Sequence, residues 1–180
     1  MKVSGALFLS FVFLTVSSLF QGVDGSFTES TERIIGNGMT ATIPIEVSGI
    51  GAYSAFGTDF QVDILLDDFV AGDLVMTLEA PSGEQAIIVT MPTDGLGSCT
   101  SVTFYALFLR DTYTDNVQTQ CPMGTSVVAG NFRPGQLFDD QFTGATETDV
   151  DGTWKLIIED KGGEAGGFKF FEVDLRFNLP

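Results

Sequence analysis

Apolar residues recur at every second position in one stretch of the chain after another. Ile43, Ile45 and Val47 form one set. Phe60, Val62, Ile64 and Leu66 form the next, followed by Leu74, Met76 and Leu78. Trp154, Leu156 and Ile158 repeat the pattern, as do Phe171, Val173, Leu175 and Phe177. Successive side chains of a strand point to opposite faces, so this alternation marks strands with one buried face. Turn residues separate the stretches: Ala80-Pro81-Ser82-Gly83, Thr93-Asp94-Gly95, Asp151-Gly152 and the Gly-rich run 162–167. Short strands divided by such turns predict an all-β chain, an antiparallel β-sandwich or jelly roll. No amphipathic helix and no internal repeat is predicted after the N-terminal segment.

That segment reads differently. Lys2 precedes an uncharged run from Ala6 to Phe20, 15 residues long, where a membrane-spanning helix needs about 20. Val23 and Gly25 are small enough for the −3 and −1 positions of a signal-peptidase site. Residues 1–25 are therefore expected to be a cleaved secretory signal. Residues 26–38, polar and Gly-containing, are expected to be a loose lead-in, and 39–180 the folded domain. No later stretch suggests a membrane span, so the product is expected to be secreted.

Charge and composition exclude several classes of function. The chain has 24 Asp and Glu against 8 Lys and Arg, a formal net charge of −16, and no His. This balance opposes binding to nucleic acid or anionic lipid. Without His there is no Ser-His-Asp or Cys-His machinery and no His-ligated zinc. Cys99 and Cys121 are the only cysteines of the chain that export would oxidise. A bridge between them is expected, stabilising by roughly 3 kcal/mol in the chain-entropy view. The alternative is two thiols, free or paired with another chain. There is no Asn-x-Ser/Thr sequon. Phe104, Tyr105, Phe108 and Tyr113 cluster in a chain with 17 Phe. They form either a core strand with its flanking loop or an exposed aromatic surface.

Three segments together resemble the P domain (P/Homo B domain) of proprotein convertases and bacterial subtilisin-like proteases. The first is GDLVMTLEAPSG, with Gly72, Asp73, Leu74, Pro81, Ser82 and Gly83 on the pattern and Ala80 in place of its usual Ser. The second is GTWKLIIED, with Gly152, Thr153, Trp154 and the closing Asp160. The third runs from Gly166-Gly167-Phe168 to Leu175, with Phe171 where the family usually has Trp. The resemblance extends over about Met39 to Phe177 and implies a jelly-roll β-sandwich of galactose-binding-like type. The motif residues are read as structural. Pro81 and Gly83 suit a tight turn, Trp154 offers a large apolar burial, and Asp73 and Asp160 suit backbone N–H groups at strand ends.

No catalytic residue is expected. Gly124-Thr125-Ser126 matches the context of a subtilisin-like nucleophile, but no His is available to take the Ser126 proton. The acidic residues show no distinguishing pair for glycoside hydrolysis. Calcium is the cofactor considered, because it takes six to eight oxygen ligands, and some proteins similar to the P domain carry it. Asp111, Asp115 and Asn116 are the first candidates, ahead of Asp139 with Asp140 and Asp149 with Asp151. The resemblance implies a non-catalytic accessory module whose partner is a secreted protease or another extracellular protein. The alternative is a carbohydrate- or calcium-dependent binding module.

Overall fold

The computed structural model describes residues 24–36, 38–68, 74–90, 104–119, 127–142, 148–161 and 167–178. Its strands are β1 (Asp24–Glu29), β2 (Arg33–Gly36), β3 (Thr40–Val47), β4 (Ala52–Tyr53), β5 (Phe60–Asp68), β6 (Leu74–Glu79) and β7 (Gln85–Thr90). They continue with β8 (Phe104–Leu109), β9 (Val127–Phe132), β10 (Thr148–Asp149), β11 (Gly152–Asp160) and β12 (Gly167–Asn178). Two helices of about one turn, α1 (Phe56–Asp59) and α2 (Phe138–Phe142), and a single 3-10 turn at Val117–Thr119 complete the described elements. They are too short to show a helical period in the sequence.

The strands form two main sheets. One runs β1-β12-β5-β8-β9, with β2 also on β12, and the other runs β3-β11-β6-β7. β4 and β10 pair separately. The inner faces of the two main sheets meet in one core. Trp154 of β11 has its ring centre 5.7 Å from Phe60 of β5 and 5.9 Å from Phe177 of β12. The chain is an all-β sandwich, as the alternation predicts.

Most of the predicted inward positions are buried. Ile43, Ile45, Val47, Phe60, Val62, Ile64, Leu66, Leu74, Met76, Leu78, Trp154, Leu156 and Ile158 all belong to the core. Phe171 does not. The register between β12 and β5 shifts between Phe170 and Glu172, and such a bulge inserts one unpaired residue. The inward set of β12 is therefore Phe168, Phe170, Val173, Leu175 and Phe177, and Phe171 is half-buried on the other face. The aromatic stretch on β8 also divides by period two: Tyr105 is buried, whereas Phe108 faces outward.

Two further expectations are corrected. Much of the segment expected to be a loose lead-in, Ser26 to Glu29 and Arg33 to Gly36, is in strands. β1 pairs with β12 from Asp24 through Glu29, and β2 pairs with Phe170 through Gly167. Their polar composition fits edge strands, which present side chains to water. The sandwich is also not wholly antiparallel. β8 and β9 run parallel, joined by the long crossover that a parallel pair requires. Every other strand pair among the described residues is antiparallel.

Candidate functional site

Two of the three segments that carry the resemblance are adjacent in space. β6 and β11 pair directly, Leu78 opposite Leu156 and Leu74 opposite Asp160. After β6 the chain turns at Ala80, Pro81, Ser82 and Gly83. Gly83 N–H donates to Ala80 O at 2.9 Å, and Gly83 has φ of +97°. That left-handed value is the reason for glycine there. Ser82 hydroxyl donates to Glu84 in the same turn. Gly152 opens β11 at φ +131°, and a Cβ on it would stand 3.0 Å from Pro81 Cβ. The Pro81 turn of one motif thus packs on the first residue of the next. Thr153 donates its hydroxyl to the Glu46 carboxylate at 2.9 Å. Trp154 is fully buried, and its indole N–H donates to Val150 O at 2.9 Å. Asp160 closes the strand, its N–H donating to Met39 O at 3.1 Å. Gly72 and Asp73 lie outside the described residues.

Asp151, just before β11, organises the adjoining loop. Its carboxylate accepts the N–H groups of Gly49 (2.9 Å), Ile50 (2.9 Å) and Gly51 (3.1 Å). Three successive donors aimed at one anion form a backbone nest, and positive φ at Gly49 and Gly51 makes it possible. These bonds, the one from Gly51 foremost, hold the Asp151 carboxyl below the usual carboxylate range. Asp149 accepts the Asp151 N–H at 3.1 Å. This acidic pair is thus engaged in holding its own loop.

The first calcium candidates are also committed to the backbone. Asp111 Oδ1 accepts the Phe138 N–H and Oδ2 the Asp139 N–H, both at 2.9 Å. Its carboxylate therefore caps the start of α2 from a distant loop, which suits the open N–H groups of a helical first turn. Burial pushes the Asp111 carboxyl up despite these two bonds, and Asp139 and Asp140 add to the rise. Asp115 accepts the Arg133 N–H through its main-chain oxygen at 2.6 Å. Asn116 accepts the Gln118 N–H through its side chain at 2.9 Å. Among the described residues, no group of three or more His, Cys, Asp or Glu gathers as a metal site. Cys99, Cys121 and Ser126 lie outside the described residues.

One polar cluster has no counterpart in the sequence reading. On the outer face of the β1-β12-β5-β8-β9 sheet, Asp63 and Asp174 are 8% and 5% exposed. They face each other across β5 and β12. Arg176 Nη2 stands 2.8 Å from Asp63 Oδ2, and Arg176 Nε donates to Asp174 Oδ2 at 2.8 Å. Ser26 and Thr28 donate to Asp174 Oδ1 at 2.7 and 3.1 Å. Gln61 donates to Asp63 Oδ1 at 2.6 Å. Burial raises the Asp63 carboxyl above the usual range, against the lowering by Gln61 and Arg176. The signal in the sequence was a charged residue, Asp63, set between the apolar Val62 and Ile64 of a strand.

No family model matches the chain, and no curated protein matches it. Solved structures with a similar fold do exist. A serine protease of Aeromonas sobria aligns with a TM-score of 0.52 at 15% identity, over 86% of this chain and 26% of that one. The complex of the Aeromonas sobria serine protease with the chaperone ORF2 aligns with a TM-score of 0.46 at 14% identity, over the same shares. The likeness is one of fold, and the chain spans about a quarter of the length of the protease. Among the described residues no helix is long and apolar enough to cross a membrane.

Proposed function

We propose that this chain is a non-catalytic, P/Homo B-like module that associates with a secreted serine-type protease of the subtilisin-like kind. One observation carries the reading. Two segments that resemble the P domain fold into neighbouring strands, with Pro81 of one against Gly152 of the other. The third resembling segment lies in β12, in the facing sheet. The fold likeness to a quarter of a serine protease supports the same reading. The module contributes binding surface and not chemistry, because the chain has no His to activate a serine. Export by the segment 1–25 places it beside secreted proteases, with a Cys99–Cys121 bridge formed on the way. Calcium is part of this reading, with Asp111, Asp115 and Asn116 as its first candidates.

The test is an affinity capture with the exported chain as bait. The source's secreted fraction is loaded with calcium, washed, and eluted with chelator. Recovery of a subtilisin-like protease, identified by mass, is the expected result. Glycoproteins released by free sugar, with no protease among them, would replace this reading with that of a carbohydrate-binding module.

A further inference from the structure

Beside the Asp63 cluster the outer sheet face carries a cavity of about 160 Å³. Asp63, Leu65, Ala106, Phe108, Glu172 and Arg176 line it. Strand register explains the assembly. On β5 and β8, Asp63 lies opposite Phe108 and Leu65 opposite Ala106, while Glu172 of β12 flanks Leu65. The floor is therefore apolar and the wall toward β12 is charged. A water needs about 15 Å³ and a drug-sized ligand about 300 Å³ or more. The cavity falls between them, in the range of one inserted side chain.

Its electrostatics select the sign of that side chain. Asp63, Glu172 and Asp174 outnumber the single guanidinium of Arg176. Asp63 is nine-tenths buried, and its Oδ2 accepts no hydrogen bond. Arg176 Nη2 stands 2.8 Å away as an ion pair without hydrogen-bond geometry. A buried carboxylate oxygen in that position has capacity for a further donor. Phe108 is 38% exposed, and an aromatic face beside carboxylates suits a planar cation better than an ammonium. The chain's net charge of −16 favours a partner with a basic surface.

We propose that this cavity receives an arginine side chain from an exposed segment of a protein partner. Glu172 takes the guanidinium at the rim, Phe108 stacks on it, and Leu65 and Ala106 cover its methylene stem. This holds for any protein that presents such an arginine, and does not depend on the protease reading.

The test titrates the isotope-labelled full chain, at low salt, with a blocked peptide carrying one arginine between glycines. The same peptide with citrulline, neutral but of similar shape, is the comparison. NMR shifts are expected to concentrate at 63–65, 106–108 and 172–176 with the arginine peptide and to be absent with citrulline. Glu172→Gln and Phe108→Ala should each weaken binding by about 5-fold, the size of one charge-assisted or cation–π contact near the surface. Glu84→Gln, in the exposed turn after β6, should leave it unchanged. Equal binding of the citrulline peptide overturns the proposal. So do arginine-induced shifts spread evenly over the acidic surface, or an affinity indifferent to both Glu172 and Phe108.

Discussion

Pro81 and Gly152 are in contact: a Cβ on Gly152 would stand 3.0 Å from Pro81 Cβ and 3.2 Å from Pro81 Cγ. Gly152 also has φ of +131°, which L side chains rarely adopt. Gly152→Ala should therefore cost about 2 kcal/mol from backbone strain, plus whatever the Pro81 contact adds. Urea unfolding of Gly152→Ala, of Pro81→Gly and of the double variant separates the two, because Pro81→Gly removes the Cβ as well as the ring. Measured against Pro81→Gly, the double variant should recover the contact part and leave the strain. Full recovery would mean that the contact alone fixes glycine at this position.

Trp154 joins the two sheets and also satisfies a main-chain oxygen. Trp154→Phe keeps an aromatic ring in place but removes the donor to Val150 O and leaves unfilled space. A loss of about 2–4 kcal/mol is expected, the sum of an orphaned buried carbonyl and a small cavity. Calorimetry should show the loss with the far-ultraviolet strand signal intact. A loss well under 1 kcal/mol would show that water reaches Val150 O.

The strands were legible in the sequence because one-sided burial writes period two into it. The legibility ended wherever the backbone departs from a regular pleat. A bulge at Phe171 broke the alternation of β12, so that Phe170 and not Phe171 points inward. The strands at Asp24–Glu29 and Arg33–Gly36 were missed because edge positions need not be apolar. The roles of Asp111 and Asp151 were hidden for another reason. Each meets backbone groups far along the chain, at Phe138 and at Gly49, and sequence spacing does not report such partners. Asp63 was overlooked because an isolated charge in a strand reads as a solvated face.

Asp151 gives the clearest dependence on pH. Its folded pKa lies below the usual value of about 3.9 for an unperturbed Asp. A depressed folded pKa contributes stability that is full above the unfolded value and fades as pH falls through the folded one. Asp151→Asn should thus be about 1 kcal/mol less stable at neutral pH, a modest figure because solvent screens the site. The gap should close below about pH 3.9. Parallel unfolding curves from neutral to acid pH measure it, and a constant gap would assign the effect to shape and not to charge.

Asp63 is expected to behave in the opposite sense. Its folded pKa is raised, chiefly by burial. Its contribution is therefore full below the unfolded value and lost as pH rises through the folded one. Asp63→Asn, which mimics the protonated form, should match the wild type in acid and become the more stable of the two toward neutral pH. The same unfolding series reads it, and a deficit that grows with pH would show that the ion pair with Arg176 outweighs burial.

The Asp111 carboxylate decides between a structural and a metal role for its loop. If it caps α2, Asp111→Ala should cost about 1 kcal/mol, the usual effect of losing an N-terminal cap. The helix carries Phe138 and Phe142 into the core, so the loss should be seen in global unfolding. Capping needs no metal, and the cost should be the same in excess calcium and in chelator. A calcium ligand would behave otherwise, because binding to the folded state alone stabilises by mass action. The wild-type midpoint would then rise with calcium, and Asp111→Ala would abolish the rise. With both oxygens accepting backbone N–H groups at 2.9 Å, equal destabilisation with and without calcium is the expected result, and it would remove Asp111 from the calcium candidates.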